Sequence, residues 1–456
     1  PARAAADRVR PDVGGGARMS DLHRLAAACL FPSFPGTDVP DWVRRFLAGG
    51  GGGLTLFAYN VPSRAALKAL SASLRAERDD LLLALDEEGG DVTRLEWDTG
   101  SSYPGGAALG AVDDVAVTEA VAASIAAELA DAGVNWNLAP VADVNVPANP
   151  VIGTRAYGSD PELVARHVAA FVRGTQSRRV AACAKHFPGH GSTEQDSHLE
   201  LPTLVGDVEA GLEPFRAAIA AGVQTIMTAH VRVDELPATV DPRIVTELLR
   251  GELGFDGVVM ADALEMKGVS ASLGVEQAAV RALEAGCDAL CVGHDLHEEA
   301  VERILAALVA SVDEARLREA AGRIARLAAW ARPAASSADR VGAADAARRA
   351  LRIEGDVSLD HAPRIVELRP VANIAAGEAE HSLGTVVREG EAVPPADVIV
   401  VRDAHRHPWM RSAADVEGMI VVETGLPVWR PSRARGYVAA FGGSRASLAA
   451  VTEVLS

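Results

Sequence analysis

Residues 180–198 read VAACAKHFPGHGSTEQDSH, and the fold turns on how this stretch divides. Val180–Ala184 is an unbroken apolar run of the length and kind expected for a strand buried on both faces. Lys185 and His186 close it, Pro188, Gly189 and Gly191 interrupt the chain, and Asp196 and His198 follow two residues apart. An apolar strand that ends in titratable groups and a glycine-bearing loop is what a parallel α/β enzyme places at the carboxyl end of a strand.

The same pattern repeats on both sides. Apolar runs begin at Leu25 (LAAACLF), Gly53 (GLTLFAY), Leu81 (LLLALD), Val134 (VNWNLAP), Val180, Val223 (VQTIMTAH), Gly257 (GVVMAD) and Asp288 (DALCVG). Between them lie segments with helical i, i+3, i+4 spacing, such as SRAALKALSASLRAE, VTEAVAASIAAELADAG, PELVARHVAAFVRGT and GVEQAAVRALEAG. Eight β-then-α units predict a (β/α)8 TIM barrel, with a doubly wound open sheet as the fallback. Asp86, Lys185, His186, His230, Asp262 and His294 fall at the ends of these runs, where a barrel gathers its active residues.

At 456 residues the chain exceeds the usual domain of about 100–200 residues. Residues 1–18, charged and glycine-rich, are expected to form a disordered leader; 19–333 the barrel; 334–350 a linker; and 351–456 a small α/β domain with strands at RIVELRP, ADVIVVRDA, GMIVVETGLP and GYVAAFG. The strand-glycine-helix at the end of that domain offers a place where an anion might sit, or simply a structural cap. A net charge of −18 argues against a nucleic-acid surface, and no apolar run reaches membrane-spanning length, so no nucleic-acid or membrane partner is expected and a cytoplasmic location is the default. Cys29, Cys183, Cys287 and Cys291 lack paired zinc-type spacing and are expected to be reduced and buried, with no metal site.

The chemistry follows from residue types. Asp262, held at a strand end, is suited to attack an electrophilic carbon. His198 with Asp196 is suited to proton transfer: in an extended segment i and i+2 share a face, so the carboxylate can orient the imidazole. Gly189 and Gly191 would let that loop close. Lys185 and His186 can donate to sugar hydroxyls, and Asp86, Arg94 and Arg155 can complete the rim or form a salt-bridge network of their own. Glu265 is expected to be a capping or solvated group.

Taken together, DEEGGDVTRL around Asp86 and Arg94, LAPVADVN, NPVIGTRAYG around Arg155, KHFPGHGSTEQDSH, MTAHV, PAT and MADALEM around Asp262 make residues 20–330 resemble glycoside hydrolase family 3, in its β-N-acetylglucosaminidase branch. The last domain resembles the carboxyl-terminal domain of actinobacterial members. The resemblance implies a retaining, exo-acting enzyme that cleaves terminal N-acetyl-β-glucosaminides, such as cell-wall peptidoglycan fragments. It also implies that Asp262 is the nucleophile, His198 the acid/base and Asp196 its partner. Asp86, Arg94, Arg155, Lys185 and His186 would bind the sugar, and no cofactor is implied. Glu87 stands where the family often has glutamine, which is expected to add charge near the pocket.

Other readings stay open on sequence alone. With a histidine as base, the second step can accept phosphate as well as water, so a phosphorylase using phosphate as co-substrate is the main alternative. A substrate-assisted glycosidase would use the acetamido group as nucleophile. A metal-dependent amidohydrolase would draw on His186, His190, His230 and Asp262, and a non-catalytic sugar-binding protein would need only the rim residues.

Overall fold

The structure is a computed structural model that describes residues 13–193, 195–197, 199–204, 208–334, 341–372, 377 and 381–456, with side chains from Asp21 onward. Among them, eight parallel strands form one sheet: β1 (Leu30–Phe31), β2 (Gly53–Leu56), β3 (Leu82–Leu85), β4 (Trp136–Asn137), β5 (Ala181–Phe187), β6 (Thr225–Thr228), β7 (Val258–Ala261) and β8 (Ala289–Cys291). Their order is β1-β8-β7-β6-β5-β4-β3-β2, and the Thr55 amide donates to the Pro32 carbonyl at 3.0 Å across the remaining seam. This is the expected (β/α)8 barrel.

Every residue of these strands is buried, because helices cover the outside and side chains fill the inside. Trp136 is the largest interior side chain; its indole N–H crosses from β4 to donate to Thr225 Oγ1 on β6 at 2.8 Å. Phe31 meets the same ring edge-on at 5.2 Å. The outer helices form where local signals agree. The helix Pro161–Gln176 starts with Asp160 accepting from the Glu162 amide and with proline in its first turn, and it buries Val164, Val168, Phe171 and Val172 along one face.

Two expected segment boundaries differ. The run from Leu25 is mostly helix: a helix spans Val13–Ala28 and only Leu30–Phe31 pair as a strand. Apolar content without a period cannot separate a helix end from a short buried strand, and this helix packs on the helices Glu298–Ser311 and Glu314–Trp330. It also begins inside the segment expected as a leader. Likewise Ala343–Ala350, within the expected linker, is a helix whose Ala343, Ala346, Ala347 and Ala350 are buried at helical spacing. It packs against the helices Gly106–Val112 and Arg445–Leu455.

The second sheet has strands β9 (Arg352–Gly355), β10 (Ile365–Leu368), β11 (Thr385–Val387), β12 (Val398–Val401), β13 (Ile420–Glu423) and β14 (Gly436–Ala439), in the order β11-β10-β12-β13-β14-β9. All pairs are parallel except β14 with β9. The exposed edge strand β9 carries no apolar run that sequence reading could find. After β10 the chain pairs β11 on one side and then returns to place β12 on the other, so the carboxyl ends of β10 and β12 flank a crevice.

Asp91, in the turn after β3, ties the two sheets together. Its carboxylate accepts from Arg402 Nη2 at 2.7 Å, the Gly443 amide at 2.9 Å and Thr154 Oγ1 at 2.6 Å. Burial alone would raise the Asp91 carboxyl, but the Arg402 guanidinium outweighs it and holds the group below its ordinary range. The strand-glycine-helix considered for an anion therefore faces one already, and that anion is a side chain of the barrel.

Candidate active site

The carboxyl ends of the barrel strands surround a cavity of about 290 Å³ lined by Asp86, Glu88, Arg94, Arg155, Lys185, His186 and Asp262. All five expected sugar-binding residues and the expected nucleophile thus meet in one place. Asp86 and Lys185 follow directly from β3 and β5. Lys185 Nζ lies 2.7 Å from Asp86 Oδ1 and 2.8 Å from Glu88 Oε1. Arg155 donates to Glu88 through Nε at 2.9 Å and Nη2 at 2.8 Å, a two-pronged pair. Arg94 Nη2 stands 3.7 Å from Asp86 Oδ2.

Burial pushes the Glu88 carboxyl upward, but Arg155 and Lys185 overcome this and hold it far below its ordinary range. Burial would likewise lower Lys185, and Asp86 with Glu88 raises it instead. Glu88, Arg155 and Lys185 are therefore ionised at neutral pH and mutually compensated. Such a cluster presents fixed charge at a 3%-exposed lysine without an unpaired buried ion.

Glu88 was not singled out from sequence, although alternation could have found it. Residues 86 and 88 of an extended segment share a face, and 87 points the other way. Glu87 accordingly turns into the protein: its Oε2 accepts from the Arg94 and Leu95 amides, both at 2.9 Å, and burial raises its pKa to about 7. The expectation that Glu87 adds charge near the pocket is corrected: it lies 2% exposed beneath the segment that presents Arg94.

His186 is held from below by Asp143, whose Oδ2 is 2.8 Å from His186 Nδ1. The other oxygen of this fully buried carboxylate accepts the His186 amide at 3.3 Å and the His190 amide at 2.5 Å. Asp143 lies in the quoted segment LAPVADVN but was given no role there. The stem of the following loop is fastened by neutral hydrogen bonds. His190 Nε2 is 2.7 Å from Ser197 Oγ, and its Nδ1 is 3.0 Å from Thr193 Oγ1. Burial depresses the His190 pKa to about 4, so the ring is neutral. Asn149 Nδ2 donates to the His190 carbonyl at 2.8 Å, and the Gly268 amide donates to the Ser197 carbonyl at 3.1 Å.

Gly191 proves to be a close-approach glycine, since a Cβ there would run into the Val144 carbonyl. Gly189 sits at φ +132°, a backbone conformation that a side chain would strain. Asp196 lines a second cavity that adjoins the first. Its carbonyl accepts from the Leu199 and Glu200 amides at 3.0 and 3.1 Å. His198 lies outside the described residues.

Asp262 Oδ1 accepts the Ala263 amide at 2.8 Å. Glu265 bridges the loops after β7 and β8 by accepting the His294 and Asp295 amides at 2.7 and 2.8 Å and facing His294 Nδ1 at 2.7 Å. His230 is wholly buried, with Nδ1 2.9 Å from Thr239 Oγ1 and Nε2 3.0 Å from the Ala263 carbonyl. These bonds, with those of His190, engage both ring nitrogens of two of the imidazoles that the metal-dependent alternative would use. The four cysteines are free and buried.

A barrel whose strand-end cavity is lined by a compensated Asp-Glu-Lys-Arg cluster and a strand-end aspartate has the form of an enzyme site for a small polar substrate. The chain belongs to glycosyl hydrolase family 3: residues 40–327 match the family's N-terminal domain, and the protein is a glycoside hydrolase. A β-hexosaminidase of Bordetella avium is 39% identical over 269 residues, covering 56% of this chain and 77% of that protein. A family 3 β-N-acetylglucosaminidase structure from a Paenibacillus species is similar at a TM-score of 0.83 and 31% identity, covering 95% of this chain and 96% of that one, second domain included. A β-glucoside phosphorylase structure has a TM-score of 0.74 at 18% identity, covering 98% and 95%, which speaks for the fold alone.

Proposed function

We propose that the protein is a retaining, exo-acting β-N-acetylglucosaminidase. In this reading the Asp262 carboxylate attacks the anomeric carbon of a terminal N-acetyl-β-glucosaminide while His198 protonates the departing oxygen, so that the glycosidic bond breaks and an ester to Asp262 forms. His198, left neutral, then takes a proton from water as water attacks the same carbon and frees Asp262. Asp196 orients His198, and Asp86, Arg94, Arg155, Lys185 and His186 grip the sugar. No metal or cofactor takes part.

The observation that carries this reading is the single cavity shared by Asp262 and the Asp86–Glu88–Arg155–Lys185 cluster. A fixed polar grip holds the ring so that the carbon meets the carboxylate, and it leaves the side toward Asp196 for the leaving group. The names of the relatives supply the N-acetyl specificity. Cell-wall fragments are the proposed source of substrate. A cytoplasmic location suits the free thiols and the absence, among the described residues, of any helix long and apolar enough to cross a membrane.

The test is turnover of an aryl N-acetyl-β-glucosaminide and the matching β-glucoside, each with and without phosphate. Free N-acetylglucosamine, released faster than glucose and independently of phosphate, is the expected result. Sugar 1-phosphate as the main product would replace the hydrolase with the phosphorylase.

A further inference from the structure

Residues 86–105 connect β3 to the helix Gly106–Val112, and they bring Asp86, Glu88 and Arg94 to the strand-end cavity. All of them are described, and beyond an isolated bridge between Gly89 and Val92 they form neither helix nor strand. A connection of that length with no ladder of its own keeps one shape only where its polar groups find partners outside it.

The second domain supplies such partners at Asp91, Glu96, Gly100 and Ser101. Asp91 accepts from Arg402 Nη2 at 2.7 Å and from the Gly443 amide at 2.9 Å. Arg445 Nη2 donates to Glu96 Oε1 at 2.6 Å, and the Ala446 amide donates to the Ser101 carbonyl at 3.3 Å. At Gly100 a Cβ would strike the ring of His381, whose Nε2 lies 2.8 Å from the Gly443 carbonyl. The start of the last helix, Arg445–Leu455, is thus seated on this barrel loop.

Asp91 matters most, because it also reaches back to the cavity wall. Its Oδ2, the oxygen that Arg402 engages, accepts from Thr154 Oγ1 at 2.6 Å. The next residue is Arg155, which holds Glu88 by two bonds. Asp91 itself stands three residues after Glu88 and three before Arg94. One guanidinium at the end of β12 therefore acts, through one carboxylate, on both segments that carry the arginines of the cavity. Burial would lower the Arg402 guanidinium, and Asp91 raises it above its ordinary range instead, so the contact is a full ion pair.

We infer that Arg402 is a positioning residue for the proposed sugar grip: acting through Asp91, it sets the loop that presents Glu88 and Arg94 and the turn that presents Arg155. The second domain is then a working part of the barrel's site. The inference deepens the proposed glycosidase reading and rests on it for the sugar that the grip holds.

The experiment uses the full chain and its Arg402→Met, Asp91→Asn and doubly substituted variants. It measures kcat and KM for an aryl N-acetyl-β-glucosaminide and Kd for N-acetylglucosamine. In Arg402→Met both KM and Kd are expected to rise by about tenfold or more, with kcat changed less than KM. The double variant should be no worse than the weaker single one, since both substitutions break the same link. KM and Kd within twofold of the unmodified chain's in a folded Arg402→Met overturn the inference, as does a double variant in which the two losses multiply. Amide exchange read by mass spectrometry needs no turnover. Peptides within residues 87–100 should exchange faster in Arg402→Met while those of β5 to β7 stay as they are; unchanged exchange in 87–100, or faster exchange across the whole barrel, overturns the inference. Should Arg402→Met fail to fold, Arg445→Met on the more exposed contact takes its place, with a smaller acceleration in 87–100 expected and none overturning the inference. Should the unmodified chain neither cleave the glycoside nor bind the sugar, the glycosidase reading falls by itself, and the exchange measurement alone decides whether Arg402 holds the loop.

Discussion

The strand-end cluster and the loop after β5 lie next to each other and are held in place by different forces. Glu88 and Lys185 are buried and Asp86 and Arg155 half-buried, and each is paired with an opposite charge that makes it tolerable there. The stem around Asp196 is held by neutral groups: the His190–Ser197 and His190–Thr193 contacts, Asn149, and the Gly268 amide. Each of those neutral bonds contributes about 1 kcal/mol. The difference teaches where rigidity is required. The charged cluster cannot rearrange without exposing a bare charge, whereas the loop proposed to carry the proton can be loosened one hydrogen bond at a time.

Removing the attacking group tests the chemistry that both regions serve. Asp262→Asn is expected to lower kcat by about four to six orders of magnitude while leaving inhibitor binding within a few-fold, as read by single-turnover kinetics and titration. Next comes the charged cluster. Glu88→Gln takes the paired carboxylate from Arg155 and leaves Lys185 with Asp86 alone, so kcat/KM should drop by about 100-fold or more, and urea unfolding should show a loss of about 3–5 kcal/mol. A Glu88→Gln enzyme with ordinary stability would mean that the cluster is not mutually dependent.

The loop should answer more gently. Ser197→Ala removes the contact with His190 Nε2 and is expected to cut kcat by about tenfold with little change in binding of N-acetylglucosamine. Loss of binding with an unaltered kcat would erase the distinction between the two regions.

The smallest effect on activity belongs to Glu87. Its folded pKa of about 7 stands above the ordinary 4.5, so the unfolded chain releases this proton first as pH rises, and stability falls between about pH 4.5 and 7. Glu87→Gln should remove that loss. Its stability advantage over the unmodified chain should grow across this interval to about 3 kcal/mol at most and stay level above it, with activity little changed. An advantage that does not vary with pH would show that the carboxyl is not buried against its charge.

Where the sequence was informative, local pattern and tertiary role coincided. The eight apolar runs were legible because strands buried on both faces need continuous apolar residues, and their polar ends marked the site. The edge strand β9 was not legible, since all of its residues are exposed and no burial pattern is written into it. The helix Ala343–Ala350 was legible in principle from its alanine spacing, but small side chains give a weak apolar signal. In the site, Asp86 and Lys185 stood out as strand ends. Glu88 pairs with Lys185 and Asp143 with His186 from segments that only folding brings together, 43 residues apart in the second case. The opposite fates of Glu87 and Glu88 were written in the two-residue period of an extended chain, and the structure shows which of the two faces the cavity.

The most direct test of the central claim is covalent trapping. The enzyme is incubated with an activated fluorinated N-acetylglucosamine derivative that forms the glycosyl-enzyme faster than water can clear it, and the product is read by intact mass and peptide mapping. The account predicts one added sugar per chain, on the peptide that carries Asp262, and none in Asp262→Asn. A label on another carboxylate, or rapid turnover with no trapped intermediate, would contradict it.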